Sequence, residues 1–163
     1  MAQASQRFEG EQWLRMPAEE KTPFVEAYAR LNYIGESEDA RHCIASAIVQ
    51  LPDDVREFAL EGGFLTVGDP AAGFYLRREN LRYLADGVPW LIVLSDAIDY
   101  EELPGLAAHE LAHLWLGHPT GTTDLTAFAE CEEAAAGLVR EWGFGGMGAH
   151  PSSEHLTGPL NDA

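Results

Sequence analysis

Apolar positions recur at helical spacing through the first sixty residues, give way to strand-like runs, and return to helical spacing after residue 100. In "TPFVEAYARLNYIG", Phe24, Tyr28 and Leu31 share one face; Thr22 has the chemistry of an N-cap, Pro23 that of a first helical residue, and Gly35 that of a stop. In "SEDARHCIASAIVQLP", Ser37 caps a second helix and acids fill its first turn. Ala40, Ile44, Ala47, Ile48 and Leu51 form its stripe, and Pro52 follows. A short helix is predicted from Asp53 to Leu60, ending at Gly62-Gly63. The segments "FLTVG" (64–68), "GFYLRR" (73–78) and "VPWLIVLS" (88–95) read as strands, separated by the turn signals "GDPAAG" and "ADG". Helical spacing then runs from about Leu103 to Leu116, ended by Gly117, and from about Asp124 to Trp142. This order predicts an α+β domain: N-terminal helices, a short and mostly antiparallel sheet, and two further helices packed over it.

Length places all of residues 1–163 in one domain with its own core, and the polar residues 1–10 and the Gly/Ser-rich stretch from about 145 to 163 are expected to be flexible. The apolar runs stop well short of the roughly 20 residues a membrane span needs. "MAQASQRFEGEQWLRM" lacks the apolar core of a signal peptide, so the expected location is the cytoplasm. Cys43 and Cys131 fall in different predicted helices and read as small hydrophobes rather than a disulfide. The net charge of −17 sets 27 acids against 10 bases, which argues against nucleic-acid binding, since that needs Lys and Arg to neutralise phosphates. Such a surface keeps the chain soluble and suits a basic peptide.

The chemistry concentrates in "AAHELAHLWLGHP", residues 107–119, where His109, Glu110 and His113 match H-E-x-x-H. The i, i+4 spacing points both imidazoles at one spot, as two ligands of a tetrahedral zinc require. Glu110 is offset by one residue. It sits poorly for sharing the metal with both histidines but well for reaching a water on it, whose pKa the metal lowers. At about 100° per residue, Glu110 falls between the histidines and the apolar arc of Leu103, Ala107, Leu111 and Leu114, where an ordinary solvated glutamate would not be. The metzincin pattern would need Gly at 116 and His at 119; those positions hold Leu116 and Pro119. His118 reads as a helix-end residue beside free carbonyls.

A third ligand is expected from "AECEEAAAG". On a helical wheel Leu125, Phe128, Cys131, Ala135, Leu138, Val139 and Trp142 form an apolar arc, and Glu130, Glu133 and Glu141 fall opposite it. Glu132 lies inside the arc, where a carboxylate is costly unless it is paired or binds a metal. A one-residue rotation of the helix would promote Glu133 instead, and Cys131 is a weaker alternative.

"HELAHLWLGHP" followed by a helix carrying E-x-x-A resembles the gluzincin metallopeptidases, and is most similar to the ImmA/IrrE family. The resemblance implies Glu132 as third ligand, from Glu132, Glu133, Ala134 and Ala135, and covers roughly residues 88–142. It departs at Ala136, where that family often has a supporting Asn or Asp. Peptide deformylase has a similar order of parts, but its ligand cysteine would be Gly63.

Together these readings predict a metallopeptidase with one zinc on His109, His113 and Glu132, Glu110 as general base, and a peptide or protein substrate, without nucleic-acid or membrane partners. The substrate is expected along a strand edge, with "PWLIVLS" the nearest strand. Tyr100, His150 and His155 are candidate donors to the transition-state oxyanion. The alternatives are a zincin-like regulatory or binding module without proteolysis, which Ala136 favours and Glu110 opposes, and a deformylase-like zinc amidohydrolase.

Overall fold

The computed structural model describes residues 15–69, 72–80 and 87–144. Its elements, in chain order, are helices α1 (Ala18–Arg30), α2 (Glu38–Val49) and α3 (Asp53–Glu61), with strand β1 (Tyr33–Ile34) between the first two. Strands β2 (Gly63–Val67), β3 (Gly73–Arg77) and β4 (Trp90–Ser95) follow, then helices α4 (Leu103–Trp115) and α5 (Leu125–Glu141). The α+β class holds. The segments expected to be flexible, 1–10 and about 145–163, lie outside the described residues, as do His150 and His155.

The helix boundaries follow local chemistry. Ser37 caps α2 by accepting the Ala40 N–H at 3.1 Å, and Asp124 caps α5 by accepting from Thr126 and Ala127 at 2.9 and 3.2 Å. At the end of α3 a Cβ on Gly62 would overlap the Trp90 ring, so only glycine lets strand β4 pack there. The first helix departs from expectation. It begins at Ala18, one turn before Thr22, with Glu19 and Glu20 in its first turn. Thr22 is therefore interior, its Oγ1 donating to the Ala18 carbonyl at 3.0 Å, and Pro23 removes one ladder bond near the helix start. The helix stops at Arg30, and the Tyr33–Ile34 stretch before Gly35 pairs with β2 as a strand too short for periodicity to reveal.

The sheet is mostly parallel, not mostly antiparallel. Its order is β1-β2-β4-β3; β1 with β2 and β2 with β4 are parallel, and β3 with β4 is antiparallel. The turn signal after β2 does not make a hairpin. The chain steps over one strand position, about 10 Å, which the residues between Val67 and Gly73 span easily, and β4 later fills the gap. That places β4 in the interior, and all six of its residues are buried, as its unbroken apolar run requires.

Strand alternation sorts the two faces. Trp90, Ile92 and Leu94 of β4 and Phe64 of β2 join the main core under the helices, while Leu91 and Val93 join Leu65, Val67 and Leu76 on the other face. The main core takes in Ala40, Ile44, Ile48 and Leu51 of the α2 stripe, and Phe24 and Leu31 from the first helix region. Helix α4 lies in the middle, packed against α2, α5, β3 and β4, and is buried from Leu103 to Leu114 except at His109. Cys43 is buried and Cys131 half-buried, and the two do not form a disulfide. Leu125, expected in the apolar arc, is 84% exposed because it opens the first turn of α5, beyond the end of the packed surface. Among the described residues no helix is long and apolar enough to cross a membrane.

Candidate metal centre

Helix α4 carries His109 and His113 one turn apart, and their Nε2 atoms stand 3.1 Å from each other. Helix α5 packs across this face and brings Glu132 to both. Its Oε2 is 3.1 Å from His109 Nε2 and its Oε1 is 3.2 Å from His113 Nε2. Among the described residues these three form a group able to hold a metal ion. The α5 wheel is thus in the expected register: Glu130 and Glu133 are exposed, and Glu132 is the carboxylate turned inward. Cys131 and His118 lie outside the converging set.

Glu110 is 6% exposed, on the buried side of α4 next to His109. Burial pushes its carboxyl up to about 7; the neighbouring His109 works against that shift and the charge of Glu132 adds to it. Burial also raises the cost of ionising Glu132, but hydrogen bonds from His109 and His113 outweigh it and hold that carboxyl well below the usual range. His109 is the counterpart. Burial disfavours its charge, yet the hydrogen bond to Glu132 and the charges of Glu110 and Glu132 raise its pKa overall.

The donor set fits a zinc ion. Two imidazole nitrogens and a carboxylate oxygen are the His₂Glu ligands of catalytic zinc, and bonds of about 2.0–2.1 Å in a tetrahedron put ligand atoms about 3.3 Å apart. The two imidazole nitrogens are 3.1 Å apart, each has a different Glu132 oxygen at 3.1–3.2 Å, and one donor from each residue lies within 4.8 Å of the others, so a modest turn of the carboxylate brings the set to that spacing. The raised proton affinity of His109 reports the same negative surroundings that attract a divalent cation.

Residues around the triad were less legible. Tyr75 of β3 stacks on His113 with ring centroids 5.6 Å apart and planes at 19°. Its hydroxyl donates to the carbonyls of His118 and Pro119 at 3.1 and 3.0 Å, and burial pushes its pKa up to about 12. Arg77, two residues on and so on the same strand face, donates Nη2 to the His118 carbonyl at 3.1 Å. Strand parity alone groups Tyr75 with Arg77, but no sequence signal says that α4 crosses over that face. His118 is a helix-end residue, as expected. Gly117 takes φ +73°, its N–H bonds to the Leu114 carbonyl at 3.1 Å, and the His118 N–H bonds to the His113 carbonyl at 3.0 Å, a Schellman ending. Burial, followed by the neighbouring His113, lowers the pKa of the His118 ring. Tyr100, a candidate oxyanion donor, is placed at the start of α2, its hydroxyl 3.0 Å from Ser37 Oγ. The strand "PWLIVLS" is β4 and therefore interior; the strand at the sheet margin beside α4 is β3.

Comparisons of the chain with family models, with curated proteins and with solved structures find no match.

Proposed function

We propose that this chain is a cytoplasmic zinc-dependent metallopeptidase of the gluzincin type, with one zinc on His109, His113 and Glu132 and Glu110 as general base. The observation that carries the reading is the convergence of His109, His113 and Glu132, one donor atom from each lying within 4.8 Å of the others, with a buried carboxylate one residue from the first histidine. A zinc ion in this set supplies Lewis acidity, lowering the pKa of a water and polarising the scissile carbonyl. Glu110 takes the proton of the attacking water and delivers it to the leaving nitrogen as the C–N bond breaks. Its buried place beside His109 keeps this carboxyl out of bulk water and within reach of a water on the ion. The substrate is a peptide or protein lying along β3, whose outer side has no strand partner among the described residues. The acidic chain, at −17, favours basic segments over nucleic acid.

A binding module without proteolysis is the second reading, and Ala136 favours it, since methyl-bearing alanine offers no acceptor to support the ligands. A deformylase-like site has no ligand at position 63, because Gly63 carries no side chain to bind a metal. The deciding experiment is metal analysis of the purified protein and of Glu110→Gln, beside cleavage of a peptide library. Zinc in both, with cleavage by the parent alone, is the expected result. Zinc in both with no cleavage by either points to the binding module, and no zinc in the parent overturns the metal centre.

A further inference from the structure

Each histidine of the triad has a second ring nitrogen. His113 turns Nε2 to His109 and Glu132, and its Nδ1 lies 2.9 Å from His118 Nδ1. We propose that His118 is a positioning residue for the metal centre, its neutral imidazole accepting the His113 Nδ1–H and so fixing His113 in the tautomer that presents Nε2 to the ion. The inference rests on the metal reading of the same site.

The proton arithmetic allows one arrangement. A histidine that ligates through Nε2 carries its proton on Nδ1, and that proton needs an acceptor. His118 can accept on Nδ1 only with its own proton on Nε2, which leaves it neutral. A neutral partner orients the ring without adding a third negative charge next to the ion, as a carboxylate partner would.

The acceptor is itself held in place. The Schellman ending fixes the backbone of His118 against the last turn of α4, through bonds from Gly117 to Leu114 and from His118 to His113. From the sheet side, Tyr75 Oη and Arg77 Nη2 both donate to the His118 carbonyl at 3.1 Å. Tyr75 also covers the face of the His113 ring. The rings of His113 and His118 have centroids 5.0 Å apart and planes at 67°, with their Nδ1 atoms in hydrogen-bond contact. Strand β3 and the end of α4 thus hold one imidazole so that it can orient another.

The test is a competitive zinc(II) titration of the full chain and of His118→Ala and His118→Asn, with melts of the metal-free proteins alongside. His118→Ala is expected to lose about 10–100-fold in zinc affinity. His118→Asn should recover most of it, because the amide oxygen occupies the position of Nδ1, two bonds from Cβ. A residue that merely packed would not be rescued by so polar a replacement. In ¹⁵N-histidine spectra of the zinc-loaded parent, the His113 Nδ1–H should be protected from exchange, and it should lose that protection in His118→Ala. Zinc affinity within twofold of the parent in His118→Ala overturns the inference and leaves the metal centre standing. So does a cadmium-loaded protein in which a His118 nitrogen couples to the metal. A parent that binds no zinc overturns both.

Discussion

Glu110 and Glu132 are both turned inward, yet their surroundings separate their roles. Two imidazoles stabilise the charge of Glu132, whereas Glu110 is buried without an equivalent cationic partner. Glu132→Ala should therefore abolish tight zinc binding, while Glu130→Ala and Glu133→Ala, both at exposed positions, leave it nearly unchanged. A competitive zinc titration of the three variants checks this, and a large loss in Glu133→Ala alone would move the ligand by one residue. For Glu110 the pH dependence has a definite sign. Its carboxyl is raised in the folded protein from an ordinary value near 4.5 to about 7, so its contribution to stability is fully present below about 4.5 and is lost as pH rises through 7. Metal-free Glu110→Gln has no such loss. Its melting temperature should exceed that of the metal-free parent by a margin that widens between about pH 4.5 and 7 and levels off above. A margin that stays constant across this range would mean that Glu110 is solvated in the metal-free protein. The zinc-loaded Glu110→Gln protein should keep its metal and lose hydrolysis by roughly two to four orders of magnitude, the usual worth of a general base.

At the scale of elements, the two glycines of the helix pair should respond oppositely to the same substitution. Gly117 holds φ +73° with open space around a Cβ, so Gly117→Ala pays only for backbone strain, about 1 kcal/mol. It also disturbs the turn that carries His118, so zinc affinity should fall with stability. Gly137 lies inside α5, where a Cβ meets only the end of the flexible Arg140 side chain at 3.9 Å. Gly137→Ala should stabilise the protein by about 0.5–1 kcal/mol through helix propensity, with zinc affinity unchanged. Urea unfolding of both variants in the metal-free state reads the two signs, and a stabilised Gly117→Ala would contradict the Schellman ending.

For the molecule as a whole, an ion held by His109, His113 and Glu132 would tie α4 at the centre of the core to α5 at its margin. An ion that binds the folded chain and not the unfolded one adds about 2.7 kcal/mol at a free concentration 100 times its dissociation constant. For a domain of this length that corresponds to a melting temperature higher by about 5–10 °C. Chelation should reverse the shift, and His113→Ala should lack it. Differential scanning calorimetry with and without zinc decides the matter; equal shifts in the parent and His113→Ala would place the ion elsewhere. Hydrogen exchange should respond most in α5, because α4 is already held on all sides by α2, β3 and β4 whether or not the ion is bound.

The sequence by itself determined what is local in cause. The 3.6-residue period put His109 and His113 on one face and set Glu132 apart from Glu130 and Glu133, since burial of a helix face and the identity of its side chains are both written along the chain. The ends of α2, α4 and α5 were legible because Ser37, Gly117 and Asp124 act on backbone groups within a turn of themselves. The unbroken apolar run of β4 marked a strand covered on both faces, but not which neighbours it would have. Only the tertiary structure decided the parallel sheet, because β2 and β3 are close in sequence and separated in space by a strand that comes later. The same holds for Tyr75 and Arg77. Their strand face was readable, but their place beside His113 and His118 depends on how α4 crosses the sheet, and that is fixed by the fit of α4 among α2, α5, β3 and β4 rather than by any residue of β3.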